Sequence, residues 1–264
     1  MQDLRVTTIQ SSLYREQCEK NLNHFDFLID QIREPTDLIL LPEMFNTGVS
    51  INPGLCAESM DGPSVGFLRR KSSSCDAVIM ATLLIREEAA IYNRLVVMYP
   101  DGHFVTYDKR HLFRLSEEFR IITGGARKIL VEVNGWKILP MICYDLRFPV
   151  WSKNAWKDGQ YEYDLLVYLA NWPASRSQVW KTLLPARAIE NQVYAAGVNC
   201  IGDDGNGTWH SGESMIADAK GNIIYVAQAG KQEVHTVILS WQELQLYRDS
   251  FTVGMDWDHF TIEN

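Results

Sequence analysis

Short apolar runs alternate with helical segments along the chain, and this alternation limits the possible folds most strongly. Runs typical of strands occupy residues 4–9, 37–41, 77–85, 92–99, 104–107, 136–142, 164–169, 193–199, 213–218, 222–227 and 233–239. Helices are predicted over 16–33, from Pro63, near Pro149 and over 178–191. Such alternation favours a layered α/β fold. We expect residues 1–264 to form one domain, although the length alone also permits two small ones.

Composition limits the class of partner. The net charge is −8 and no cluster of Lys and Arg is present, so a nucleic acid is not expected as a partner. No apolar run approaches the roughly 20 residues that a membrane-spanning helix needs, so no membrane partner is expected either. The chain begins without the pattern of a signal peptide.

The five cysteines are scattered and form no C-x-x-C pair, which disfavours a zinc site or a dithiol redox pair. The six histidines include no H-E-x-x-H motif. We therefore expect no metal and no cofactor. A reducing, cytoplasmic location is the simplest expectation, and it would suit an enzyme that uses a free thiolate.

Three chemically reactive side chains follow apolar runs directly: Glu43, Lys109 and Cys143. Ligands of open α/β sheets bind at the carboxyl ends of strands, where groups distant in sequence meet. There a thiolate is a competent nucleophile, an ammonium lowers the pKa of a thiol, and a carboxylate transfers protons. Each residue also has an ordinary explanation: an inert buried cysteine, a solvated lysine or half of an ion pair. Spacing alone does not show that the three converge.

The segments around these residues carry a resemblance to a known family. Residues 40–48 (LLPEMFNTG), 107–113 (YDKRHLF) and 141–149 (MICYDLRFP) are similar to the three catalytic blocks of the nitrilase superfamily, the carbon–nitrogen hydrolases. Residues 171–173 (NWP), 186–191 (ARAIEN) and 212–221 (GESMIADAKG) also match. The resemblance implies an α/β fold, a four-layer αββα sandwich. It also implies a homodimer formed through a helical face.

The resemblance further implies roles for individual residues. Glu43 would be the general base, Lys109 the cation that stabilises the oxyanion, and Cys143 the nucleophile. Glu118 would be a second pocket glutamate, although the adjacent Glu117 is an open alternative. The oxyanion would lie between Lys109 and the backbone N–H of Tyr144.

Within the superfamily, the blocks at 143–149 and 171–174 resemble the omega-amidase group most. This implies a small-molecule amide as substrate, namely 2-oxoglutaramate or 2-oxosuccinamate, hydrolysed to the acid and ammonia. Arg147 is the candidate for binding the carboxylate. A structural ion pair of Arg147 with Asp145 or another carboxylate is the alternative. Aromatic residues expected to line the pocket are Tyr144, Phe45 and Trp172, unless they belong to the core. An amidase or carbamoylase for another small amide, and a non-catalytic binding or scaffolding relative, remain alternatives.

Three further features have weaker claims to function. The pattern G-x-S-x-G at 62–66 does not follow a predicted strand, which disfavours a serine nucleophile. His111 permits a Cys–His pair, which ranks below the Glu–Lys–Cys set. The glycine-rich segment 202–207 is interpreted as a tight turn that is able to border the active site.

Overall fold

The structure, a computed structural model, describes residues 1–50, 52–116 and 118–262. Its strands are β1 Leu4–Gln10, β2 Leu38–Leu40, β3 Val78–Glu87, β4 Ala90–Met98, β5 Phe104–Asp108, β6 Val131–Val133, β7 Trp136–Ile142, β8 Trp156–Lys157, β9 Gln160–Tyr161, β10 Leu165–Ala170, β11 Tyr194–Asn199, β12 Ile201–Asp203, β13 Trp209–Ser211, β14 Met215–Ala217, β15 Ile223–Val226 and β16 Glu233–Leu239. Its α-helices are α1 Cys18–Ile29, α2 Pro53–Cys56, α3 Pro63–Cys75, α4 Glu118–Ile121, α5 Pro149–Ser152, α6 Ser177–Asn191 and α7 Trp241–Ser250.

Two six-stranded sheets form the framework. The first has the order β16-β1-β2-β3-β4-β5, and the second has the order β15-β14-β11-β10-β7-β6. Strands β1, β2 and β3 are parallel in the first sheet, as are β7, β10 and β11 in the second. Strands covered on both faces read as continuous apolar runs, which explains why β2 (LIL) and β10 (LLVYLA) are buried along their whole length.

The two sheets pack face to face and helices cover their outer faces. The inner layer belongs to one hydrophobic cluster to which both sheets contribute, including Val6, Leu40, Met80, Ile138 and Val167. A second cluster packs α1 and α3 onto the first sheet, through Phe25, Leu28, Phe67 and Leu68 against Ile39 and Ile79. On the opposite side α6 covers the second sheet. This arrangement confirms the expected αββα sandwich.

The predicted strands are present with end shifts of a few residues, whereas the helix predicted over 16–33 spans only Cys18–Ile29. Helix α1 begins at Cys18 rather than at Glu16, because Glu16 has a φ of +56°, which an α-helix does not accommodate. Its backbone N–H donates instead to the carbonyl of Thr47. Helix α7 was not predicted. Within the described residues, no helix is long and apolar enough to cross a membrane.

Gly197 sets the distance between α6 and the second sheet. A Cβ atom at this position of β11 would lie 2.5 Å from Leu184 Cδ1 and 2.6 Å from Trp180 Cζ2, both on α6. Real Cβ contacts are not that short, so only glycine allows the helix to pack at this depth.

We expect Gly197→Ala to lower the free energy of unfolding by about 1–3 kcal/mol, because α6 must shift away from the sheet. Urea denaturation measures the change. Gly66→Ala in α3 is the matched control, since its Cβ would meet nothing closer than Arg70 Nη1 at 3.7 Å. The control should be neutral or more stable by up to about 1 kcal/mol, the difference in helix propensity. Equal stability of Gly197→Ala and wild type would contradict the packing argument.

Candidate active site

The three strand-end residues meet in one cavity of about 450 Å³. Glu43 follows β2, Lys109 follows β5 directly, and Cys143 follows β7 directly. Because β2 and β7 belong to different sheets, the cavity lies where the ends of the two sheets meet. Glu118, on the short helix α4, also lines it.

Glu43 is buried and its carboxylate accepts hydrogen bonds from three donors. Oε1 accepts hydrogen bonds from Lys109 Nζ at 2.9 Å and from Asn93 Nδ2 at 2.7 Å. Oε2 accepts one from the backbone N–H of Asn171 at 2.9 Å. Such a set of donors fixes the carboxylate in one orientation, as a general base requires.

Lys109 bridges two carboxylates in the interior. Its Nζ donates to Glu43, and also to Glu118 Oε1 at 2.8 Å and Oε2 at 3.1 Å. Glu118 is held in turn by the backbone N–H of Phe113, which donates to Oε2 at 2.7 Å. Glu117, the alternative second glutamate, lies outside the described residues.

Cys143 lies at the sharp turn between β7 and a 3₁₀ helix, Cys143–Arg147. Its φ is +41°, a left-handed backbone conformation that is strained for a residue with a side chain. The turn places Sγ 3.9 Å from the carbonyl oxygen of Asn171. It also leaves backbone N–H groups of the first helical turn, that of Tyr144 among them, without a partner inside the helix.

The electrostatics of the site favour a neutral thiol at rest. Burial raises the pKa of Cys143 well above its ordinary value, and the carboxylate of Glu43 raises it further, which together outweigh the opposing effect of Lys109. Lys109 lowers the pKa of this thiol as expected, but the net shift is upward, so the expected low-pKa thiol is corrected. Burial opposes the charge of Lys109, yet Glu118 and Glu43 keep its pKa well above the ordinary value.

Two supporting residues carried no sequence signal. Asn93, in the middle of β4, donates through Nδ2 to Glu43 and, at 3.4 Å, to Glu118 Oε1. Gly125 donates its N–H to the carbonyl of Lys109, and a Cβ there would lie 2.1 Å from the carbonyl oxygen of Asp108. Any side chain at position 125 would therefore displace the lysine.

Three of the four residues expected to bind substrate line the cavity: Tyr144, Arg147 and Trp172. Phe45 does not. It is fully buried in the cluster beneath α1, where its ring packs edge-on against Phe25 at 5.4 Å. The chain reverses at Met44, whose φ is +47°, and this turn directs Phe45 away from the side that Glu43 occupies.

Arg147 is not paired with Asp145. The buried Asp145 accepts hydrogen bonds from the hydroxyl of Tyr107 and from the backbone and ring N–H groups of His111, at 2.7–3.0 Å. Arg147 packs over the ring of Trp172, 5.1 Å from its centroid. His111 stacks on Phe148 and does not line the cavity, so it makes no pair with Cys143.

Other residues of the cavity wall were not predicted from the sequence, or their position was left open. Arg176 lines it, and so does the segment after β12 through Asp204, Asn206, Thr208 and His210. Asn171 also lines it, and both its side-chain Oδ1 and Nδ2 are buried without a hydrogen-bond partner. An orphaned buried amide normally has a bound water or ligand. In the part of the chain that is described, no group of three or more His, Cys, Asp and Glu side chains is placed to hold a metal ion.

Comparisons with known proteins agree with this geometry. The family described as "Carbon-nitrogen hydrolase" matches residues 5–249. The chain is 43% identical to "Omega-amidase YafV" of Yersinia enterocolitica over 99% of this chain and 100% of that protein. It is 40% identical to the protein of that name in Escherichia coli K12, with the same coverage. It is 29% identical to "2-oxoglutaramate amidase" of Bacillus subtilis, over 95% of this chain and 96% of that protein.

Among solved structures, the fold is similar to that of XC1258 from Xanthomonas campestris, described as a CN-hydrolase superfamily protein with an arsenic adduct in the active site. The TM-score is 0.97 at 37% identity, and the match covers both chains completely. The fold, the ordered catalytic blocks and the full-length matches lead to one conclusion. The chain belongs to the carbon–nitrogen hydrolase family, the nitrilase superfamily.

Proposed function

We propose that the protein is an amidase that hydrolyses the terminal carboxamide of small 2-oxo acids, 2-oxoglutaramate and 2-oxosuccinamate, to the acid and ammonia. The observation that carries this proposal is the convergence of a thiol, a fixed carboxylate and a buried ammonium on a cavity that also contains a guanidinium. Full-length similarity to proteins named omega-amidase and 2-oxoglutaramate amidase supports the substrate class.

In the first half of the reaction, Cys143 Sγ attacks the amide carbon while Glu43 accepts the thiol proton. Because the thiol is neutral at rest, proton removal and attack are coupled at this carboxylate. The developing oxyanion is stabilised by the N–H of Tyr144 and by Lys109. An ammonium has three N–H donors. One bonds Glu43 and a second is shared between the two oxygens of Glu118, so the third is left for the oxyanion. Glu43 then protonates the departing ammonia, which leaves a thioester on Cys143.

In the second half, a water molecule attacks the thioester carbon and Glu43 accepts its proton. The acid leaves, and the proton returns to the sulfur of Cys143. Glu118 keeps Lys109 in place through both halves, since its two oxygens accept hydrogen bonds from Nζ. Glu118 also lines the cavity, where its carboxylate is able to orient the attacking water.

Arg147 binds the carboxylate at the far end of the substrate. Within the described ranges its guanidinium has no acidic partner and packs only on Trp172, so its donors are available to a ligand. A guanidinium matches a carboxylate with two parallel hydrogen bonds. Tyr144 and Trp172 supply apolar walls for the carbon chain between the two ends.

The function is tested by ammonia release from 2-oxoglutaramate, 2-oxosuccinamate, glutamine, an N-carbamoyl amino acid, pentanamide and a simple nitrile. We expect the two oxo-amides to be the best substrates and Cys143→Ala to reduce release to background. Arg147→Gln should raise KM for the oxo-amides about 10- to 100-fold, the loss of a charge-assisted interaction of about 1.5–3 kcal/mol. Its effect on uncharged pentanamide should be small. No release from either oxo-amide by folded protein would refute the proposal.

The thiol chemistry gives a separate prediction for Glu43→Gln. Removing the carboxylate removes one cause of the raised pKa, so the pKa of Cys143 falls and its thiolate fraction at pH 7 rises. We expect iodoacetamide to modify Cys143 faster in Glu43→Gln than in wild type. Amide hydrolysis should nevertheless fall by about 10²-fold or more, since the general base is lost.

Peptide mapping by mass spectrometry separates Cys143 from the other four cysteines, with Cys143→Ala as the control for background. In wild type the modification rate should keep rising with pH through the ordinary range of a thiol pKa, because burial and Glu43 hold the thiol neutral. Slower modification in Glu43→Gln than in wild type would contradict the assigned role of the carboxylate.

We also propose that the enzyme is a homodimer and is cytoplasmic. Exposed apolar side chains lie on or beside the helices of one outer layer: Val150, Ile189, Leu246 and Phe251. All five cysteines are free, which suits a reducing compartment. Sedimentation equilibrium should give twice the chain mass of 30.2 kDa. Ile189 is exposed on α6. Ile189→Glu should shift the measured mass toward that of the single chain. A single-chain mass for wild type at micromolar concentration would refute the dimer.

A further inference from the structure

Arg176 is a cation in the cavity wall that takes no part in the proposed hydrolysis. It ends the short 3₁₀ turn Ala174–Arg176 and immediately precedes α6. Its guanidinium carbon lies 5.4 Å from the centroid of the Phe113 ring. With the other described residues it makes no ion pair, which is unusual for a half-buried arginine and leaves its donors available to a ligand.

One indole connects Arg176 to Arg147. The ring face of Trp172 supports the guanidinium of Arg147, and its Nε1 donates to the backbone carbonyl of Arg176 at 2.8 Å. Phe113, which supports Arg176, packs edge-on against Tyr144 at 5.2 Å and donates its N–H to Glu118. Both guanidiniums therefore rest on aromatic rings that are fixed to the catalytic residues.

The charge balance at this end of the cavity is positive. Of the charged residues that line the cavity, Glu43, Lys109 and Glu118 bond one another and together carry one negative charge. Arg147, Arg176 and Asp204 together carry one positive charge. Asp204 Oδ1 already accepts the backbone N–H groups of Asn206 and Thr208. The orphaned amide of Asn171, only 7% exposed, adds a donor and an acceptor to the same wall.

We propose that Arg176 is a specificity-determining residue that, with Arg147, binds the 2-oxo carboxylate end of the substrate and rejects a 2-amino acid. This inference rests on the proposed function. A 2-oxo acid presents three oxygen acceptors, two of the carboxylate and one of the ketone, to two guanidiniums. A 2-amino acid such as glutamine places an ammonium where the ketone oxygen would lie, and two fixed cations repel it.

Steady-state kinetics of Arg176→Gln with 2-oxoglutaramate, glutamine and pentanamide test this. We expect kcat/KM for 2-oxoglutaramate to fall about 10- to 100-fold, mainly through KM, and pentanamide to change less than about twofold. The preference for 2-oxoglutaramate over glutamine should fall at least about tenfold. Arg176→Lys should be intermediate, because it keeps the charge without the planar fork.

Arg114→Gln is the matched control. Arg114 is exposed on the neighbouring loop, does not line the cavity, and its removal changes the net charge by the same amount. Arg114→Gln should leave kcat/KM for all three substrates unchanged. An unchanged preference in Arg176→Gln, or an equal loss for pentanamide, would overturn the assignment.

A binding measurement separates this inference from the proposed function. Calorimetric titration of Cys143→Ala with 2-oxoglutarate should give saturable binding. Adding Arg176→Gln to this variant should raise the Kd for 2-oxoglutarate at least about tenfold. If wild type releases no ammonia from oxo-amides yet this difference is found, the anion site stands and the proposed function fails. Equal binding of 2-oxoglutarate with and without Arg176→Gln, or no binding in either case, overturns the role of Arg176. This holds whether or not the wild type hydrolyses the oxo-amides.

Discussion

The buried ammonium of Lys109 between two carboxylates is the interaction on which the rest of the site depends. Removing one partner from a buried ion pair leaves an uncompensated charge and destabilises a protein by about 3–5 kcal/mol. Here three charged groups and the side-chain Nδ2 of Asn93 are joined by hydrogen bonds of 2.7–3.4 Å. The network holds Glu43, Lys109 and Glu118 in one geometry before any substrate arrives. These are the groups that we propose as general base, oxyanion cation and second pocket glutamate. Preorganised groups of this kind need no rearrangement as charge develops.

The sandwich supplies that geometry by bringing the ends of two sheets together. Glu43 comes from the first sheet and Cys143 from the second, and the backbone of Asn171 touches both, through its N–H to Glu43 and its carbonyl to the thiol. Two non-glycine residues with positive φ, Met44 and Cys143, lie at the same place. The packed cores on either side of the sheets hold these turns against relaxation. The cavity continues outward to two arginines supported by aromatic rings, so reacting and recognising groups share one wall.

Prediction from the sequence succeeded where a pattern has a local physical cause. Apolar runs marked the strands because buried strands are rich in apolar side chains, and β2 (LIL) and β10 (LLVYLA) show this along their whole length. It failed for α1 at its first turn, since the left-handed conformation of Glu16 is imposed by a bond to the distant Thr47. It also placed Phe45 in the pocket. Adjacent residues of an irregular turn point in opposite directions, and the amino-acid sequence does not show which of them faces the cavity.

The sequence by itself determined the family, the layered fold and the identities of Glu43, Lys109 and Cys143, because ordered catalytic blocks and alternating apolar runs are properties of the chain. Only the tertiary structure decided which groups surround them. Asn93 lies in a strand and Gly125 in a loop, and neither has a sequence pattern that marks a site. They come to support Glu43 and Lys109 only when β4 pairs with β5 in the folded first sheet. The state of the thiol was decided in the same way. A nearby lysine favours the thiolate, yet burial and the carboxylate of Glu43 together outweigh it, and burial is a property of the whole fold.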